Sequence, residues 1–155
     1  MRAPTEVRLE RLEKLIQRVA HESEHGAIIV VEGQRDRDSL RSMGIAGTIL
    51  CLQSSRRNTV GFVEELDASK DVIVLTDFDG QGVSLAKRLA RTLSSQHIHA
   101  NMVLWRELRG LTRSEVRSVE ELPKLHSRLQ TEVFLGAPSR HLEKTRFRER
   151  RKEFR

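Results

Sequence analysis

The sequence predicts an α/β fold: a parallel sheet of about four strands flanked by helices, with a helical segment before it and a basic tail after it. Three observations carry this. The aliphatic runs "AIIVV" (27–31) and "VIVLT" (72–76) have the composition of strands covered on both faces. Strand-like and helix-like stretches alternate around them at the spacing of helical crossovers. The clearest amphipathic pattern, 83–93, follows the second run and sets Leu85, Ala86, Leu89, Ala90 and Leu93 on one helical face.

Taken in order, Pro4 and Thr5 open a helix in which Leu9, Leu12, Leu15, Ile16 and Val19 recur at helical spacing, and His25-Gly26 closes it. The first strand is "AIIVVEG" (27–33). A short helix over 36–43 stops at Gly44, "TILCL" (48–52) is the second strand, and "QSSRRN" (53–58) is a polar loop. A helix over 59–66 leads to the third strand at 72–76, and the 83–93 helix leads to a fourth, "HIHANMVLW" (97–105). The last helix is expected over 118–133, where Pro123 is tolerated only near the first turn. This divides the chain into an N-terminal helix (1–25), an α/β domain (26–135) and a basic C-terminal arm (136–155). From Arg140 onward eight residues are basic and three acidic, with few apolar anchors, so a frayed helix or disordered arm is expected.

Bulk properties narrow the function. Lys and Arg number 28 against 22 for Asp and Glu, a net charge of +6 that favours an anionic partner, nucleic acid first. Cys51 is the only cysteine, which excludes a disulfide framework and any multi-cysteine zinc site. The six histidines do not group at metal-ligand spacing, although His97 and His99 would share a face of the fourth strand. The longest wholly aliphatic run, 27–31, is far too short to span a membrane, and no basic-then-apolar leader opens the chain. A cytoplasmic protein without a membrane partner is expected.

The chemistry concentrates at two strand ends. Glu32 follows the first strand, and Asp77 and Asp79 follow the third. If these strands are neighbours, three carboxylates crowd one edge of the sheet, where open α/β sheets bind ligands. Such crowding raises their pKa values unless a cation compensates. Oxygen-only ligands favour a hard divalent ion, Mg²⁺ or Mn²⁺. Gly33, Gly80 and Gly82 would admit a phosphate or a hydrated metal close to the backbone. The helix after Gly82 points its N-terminus at the same place, which favours anions. The plainer reading of Asp-x-Asp after a strand is a turn or a helix cap.

"VVEGQRD" (30–36) and "TDFDGQG" (76–82), with Glu32 and Asp77 45 residues apart, resemble the Toprim domain. That domain is shared by bacterial-type primases, type IA and type II topoisomerases, RecR proteins, OLD-family nucleases and the bacterial maturase of 5S ribosomal RNA. The likeness is greatest to small stand-alone Toprim proteins of archaea, and it covers about 20–135. It implies a compact parallel sheet whose glutamate and Asp-x-Asp pair bind Mg²⁺. Carried over, Glu32 is a metal ligand or general acid/base, and Asp77 and Asp79 are metal ligands. Asp36 matches a position acidic in the maturase and archaeal branches, and it reads equally as a helix cap.

Departures from the family restrict the chemistry. The chain has no tyrosine, so it cannot form a phosphotyrosine intermediate and is no topoisomerase by itself. One cysteine does not make the zinc module of a primase. The remaining expectation is Mg²⁺-dependent processing of nucleic acid, RNA before DNA, by an rRNA-maturase-like hydrolysis. Two ions about 4 Å apart would then bracket the scissile phosphate, with Mn²⁺ able to substitute. Arg56 and Arg57 in the loop after the second strand, with Arg35, Arg37 and Lys87 beside the acids, are candidates for holding phosphates. A non-catalytic, Mg²⁺-dependent RNA- or ribosome-binding factor competes with this reading, as does a subunit of a DNA repair or replication complex. A haloacid-dehalogenase-like phosphatase would also account for "VIVLTDFDG", but it leaves Glu32 without a role.

Overall fold

The computed structural model describes residues 4–136. The expected arm at 136–155 therefore lies outside the described residues, apart from Gly136. The elements run α1 (Thr5–Glu24), β1 (Ile28–Val31), α2 (Gln34–Ser42), β2 (Ile49–Cys51), α3 (Thr59–Glu64), β3 (Val72–Leu75), α4 (Gly80–Ser95), β4 (Ala100–Asn101), α5 (Val103–Thr112) and α6 (Leu122–Phe134). Single 3₁₀ turns at Leu52–Ser54 and Val119–Glu121 follow β2 and precede α6.

All four strands are parallel, in the order β2-β1-β3-β4. β1 and β3 are central and buried along their whole length, as their unbroken aliphatic runs require. Their register pairs Ile28 with Val72 and Val31 with Leu75, so both strands end on one level. The chain steps from β1 to β2 in one direction, and from β2 to β3 to β4 in the other. A constant crossover hand then sends α2 to one face and α3 and α4 to the opposite one. The packing agrees: α3 lies against α4, while α2 lies against α6 and α1 against α5 and α6. The switch of direction falls between β1 and β3, where such sheets open a ligand crevice at the strand carboxyl ends.

Local chemistry sets the boundaries. α1 buries Leu12, Leu15 and Val19 along one stripe. α3 is capped by Asn58, whose Oδ1 accepts from the Gly61 N–H at 2.9 Å. α6 carries Pro123 in its first turn, the only part of a helix that accepts it, and starts at Leu122 rather than at 118. Among the described residues no helix is long and apolar enough to cross a membrane.

One element departs from expectation. The stretch 97–105 is not a strand: only Ala100 and Asn101 pair with β3, and α5 begins at Val103. His97 takes a left-handed φ of 59°, so His97 and His99 do not share a strand face. The Asn101 Oδ1 accepts from the Val103 N–H at 3.0 Å, which ends the strand and opens the helix. Trp105 is core, as its apolar neighbours imply, but it is a helical residue.

Candidate functional site

Glu32 leaves the end of β1 and Asp77 stands two residues past the end of β3, its neighbour in the sheet. Both face a cavity of about 740 Å³, which Gly33, Arg35, Asp36, Gln53, Ser118 and Glu120 also line. The Asp77 Oδ1 is buried and has no hydrogen-bond partner. Burial, with the Glu32 carboxylate alongside and Asp79 beyond, pushes the Asp77 carboxyl up to about 8, against a weaker opposing pull from the Val119 backbone.

The carboxylates differ in what already holds them. Asp36 is buried at the third position of α2, where its Oδ2 accepts from the Gly33 N–H at 3.0 Å and its Oδ1 from the Glu120 N–H at 3.1 Å. Burial and the nearby Asp77 raise it to about 6 even so. It is at once a cap and a wall of the cavity. Asp79 is the N-cap of α4: its Oδ1 accepts from the Gly82 N–H at 2.7 Å. That cap starts α4 at Gly80, three residues before the amphipathic stripe begins. Among the described residues, no three His, Cys, Asp or Glu side chains converge as a ready metal cage.

The loop 76–82 is fastened from several directions. The Thr76 Oγ1 donates to the Gly82 carbonyl at 2.8 Å, closing the loop on itself. From α5, the Trp105 Nε1 donates to the Thr76 carbonyl at 2.9 Å and the Arg109 Nε to the Phe78 carbonyl at 3.0 Å. Arg109 also lies over the Trp105 ring, 5.8 Å from its centroid. The Phe78 N–H donates to the Arg117 carbonyl at 2.8 Å. Gly82 itself packs against the Asp77 backbone: a Cβ there would stand 2.0 Å from the Asp77 carbonyl oxygen. Close packing of helix on loop is thus a requirement for Gly82, whereas a Cβ on Gly80 would meet nothing within 4 Å.

A family model for the Toprim domain matches residues 26–103, which run from the start of β1 to the start of α5 and contain Glu32, Asp77 and Asp79. The chain belongs to the Toprim family. Its relatives include a UPF0292 protein of Methanosarcina acetivorans, 33% identical over 127 residues, covering 81% of this chain and 87% of the relative. Another, from Pyrococcus furiosus, is 36% identical over 121 residues and covers 78% and 88% of the two chains. A solved structure of a protein from Aquifex aeolicus shares the fold, with a TM-score of 0.58 at 24% identity, over 70% of this chain and 94% of that one. Toprim domains are Mg²⁺-binding modules of proteins that act on nucleic acid, and this coarse function comes with the family.

Within this Toprim domain, the donor set suits a hard cation. Glu32 and the orphaned oxygen of Asp77 present carboxylate oxygen to one cavity, and one oxygen of Asp79 is not taken by its cap. Of the basic candidates, Arg35 lines the cavity. Arg56, Arg57 and Lys87 do not; Arg57 pairs with Glu65 at 3.1 Å, and Lys87 lies exposed along α4. Arg37 is 3.8 Å from Asp38. Sequence reasoning missed the far wall, Ser118 and Glu120, and the brace of Trp105 and Arg109. The brace had a visible signal, since Trp105 and Arg109 are four apart and share a helical face.

Proposed function

We propose that the protein hydrolyses phosphodiester bonds in structured RNA, with Glu32 and Asp77 as the principal holders of Mg²⁺ and the second oxygen of Asp79 completing the set. The observation that carries this is the buried, partnerless Asp77 Oδ1 beside Glu32, two carboxyl groups facing one cavity. When bound, Mg²⁺ neutralises these carboxylates and polarises a phosphate oxygen and its attacking water. Two ions are the expected number, with Mn²⁺ able to replace them. Arg35, at the cavity rim, holds a substrate phosphate, and Asp36 fixes the Gly33 turn that positions Glu32. The net charge of +6 and the arginine-rich stretch after Arg140 supply the pull on a polyanion. A ribosomal RNA precursor is the substrate that fits the family likeness.

Purified full-length protein with Mg²⁺ or Mn²⁺ should cut hairpin and precursor ribosomal RNA, while Asp77→Asn and Glu32→Gln should not. A second reading, RNA or ribosome binding without cleavage, draws on the engagement of Asp36 and Asp79 by backbone N–H groups. Tight binding with no product in either metal would leave only that reading standing. An unimpaired Glu32→Gln variant would instead remove Glu32 from the metal-holding set.

Asp79 offers a separate check, because cap and ligand make different demands. Asp79→Asn keeps an acceptor for the Gly82 N–H, so the melting temperature should hold while Mg²⁺ affinity falls about tenfold. Asp79→Ala should also cost about 1 kcal/mol of stability, seen in denaturant titration. Unchanged Mg²⁺ affinity in both variants would reduce Asp79 to a cap alone.

A further inference from the structure

On the other side of Glu32 lies a second hollow, of about 480 Å³, lined by Leu52, Gln53, Gln81, Ser84, Leu85 and Arg88. Glu32 and Gln53 border both hollows, so they form the saddle between them. The saddle is fixed in place. The Gln53 N–H donates to the Glu32 carbonyl at 2.9 Å, tying the exit of β2 to that of β1. The Gln53 side chain lies over Gly33, where a Cβ would stand 2.7 Å from its Oε1.

The two hollows differ in chemistry. The first is walled by carboxylates. The second offers neutral hydrogen-bonding groups on Gln53, Gln81 and Ser84, apolar surface on Leu52 and Leu85, and one cation, Arg88. The Arg88 side chain is exposed and has no ion pair or hydrogen bond among the described residues, unlike Arg57 with its Glu65. Amide and hydroxyl groups suit the edges of an unpaired base and a ribose, leucine suits their faces, and a free guanidinium suits a phosphate.

We infer that the second hollow holds a single-stranded flank of the RNA, whose backbone crosses the Glu32–Gln53 saddle with a phosphate on Arg88. This rests on the RNA reading above and adds the path of the strand and a residue that grips it. The test is equilibrium anisotropy on ice in Mg²⁺, with the RNA checked intact afterwards. The probe is a hairpin RNA with or without single-stranded oligouridylate flanks. The comparison is Arg88→Ala against Arg106→Ala, an equal loss of charge from an exposed position on α5.

The flanks should tighten wild-type binding, and Arg88→Ala should lose about tenfold on the flanked RNA and nothing on the bare hairpin. Its log-affinity against log-salt slope should fall by about 0.7. Equal behaviour of the Arg88 and Arg106 variants on flanked RNA would overturn the assignment, as would flanks that add nothing to wild-type affinity. If wild type binds neither RNA, the RNA reading itself fails and takes this inference with it.

Discussion

Asp77→Asn should melt ~5 °C higher than wild type in metal-free buffer, and it should lose the further rise that Mg²⁺ gives to wild type. The side chain sits in the cavity beside Glu32 with a buried oxygen that nothing satisfies. An amide of the same shape takes up no proton on folding and can donate to Glu32, a relief of about 1–2 kcal/mol. The pH dependence follows from the same contact. Because the folded protein holds the Asp77 proton up to about 8, metal-free wild type loses stability as pH climbs from the ordinary carboxylate range towards that value. Asparagine has nothing to lose there, so its profile should be flatter over that window. Wild type at an Mg²⁺ concentration a hundred times its dissociation constant should gain about 2.7 kcal/mol, and the variant close to none. Scanning calorimetry with chelator and with Mg²⁺ reads both effects. A variant that melts no higher without metal, yet gains as much from Mg²⁺, would dissociate the cavity from metal binding.

Gly82→Ala should cost about 3 kcal/mol and abolish the Mg²⁺ response, whereas Gly80→Ala should leave both intact. Two residues apart on α4, they answer to different surroundings. The added carbon at 82 would overlap the Asp77 carbonyl, and backbone on both sides leaves it nowhere to go. The loop can relieve it only by moving Asp77, the residue whose position matters most. At 80 the same carbon projects into open space. Urea titration gives the stability difference, and the Mg²⁺-induced melting shift gives the effect on the site. Equal tolerance of both substitutions would mean that the loop moves freely, against its bonds to Trp105, Arg109 and Arg117.

Much of this was legible in the chain because the signals were local. β1 and β3 are apolar at every position and mostly β-branched, the composition of a strand covered on both faces. Glu32 and Asp77 could be joined across 45 residues because a parallel sheet brings strand ends to one level. The region 97–105 misled because a short apolar run is ambiguous between strand and helix. Leu104, Trp105, Leu108 and Thr112 are buried at helical spacing, so the helical alternative lay in the residues just beyond the run. The double duty of Asp36 and the cap at Asp79 depend on particular backbone N–H groups, and the first of these comes from residue 120. The glycines were read as room for a ligand. In the structure Gly33 makes room for Gln53, and Gly82 for Asp77.

The fastening of loop 76–82 bears on how this protein can be divided. The family match ends at residue 103, yet Trp105, Arg109 and Arg117, which grip the loop, and Glu120, which walls the cavity, all lie beyond it. A fragment cut at the edge of the match would inherit Glu32, Asp36, Asp77 and Asp79 and lose what gives them their arrangement. Grafting experiments should therefore carry α5 and the turn before α6 along with the motif. Substitutions at Trp105 or Arg109 would in turn damage the acidic site without touching any residue in it.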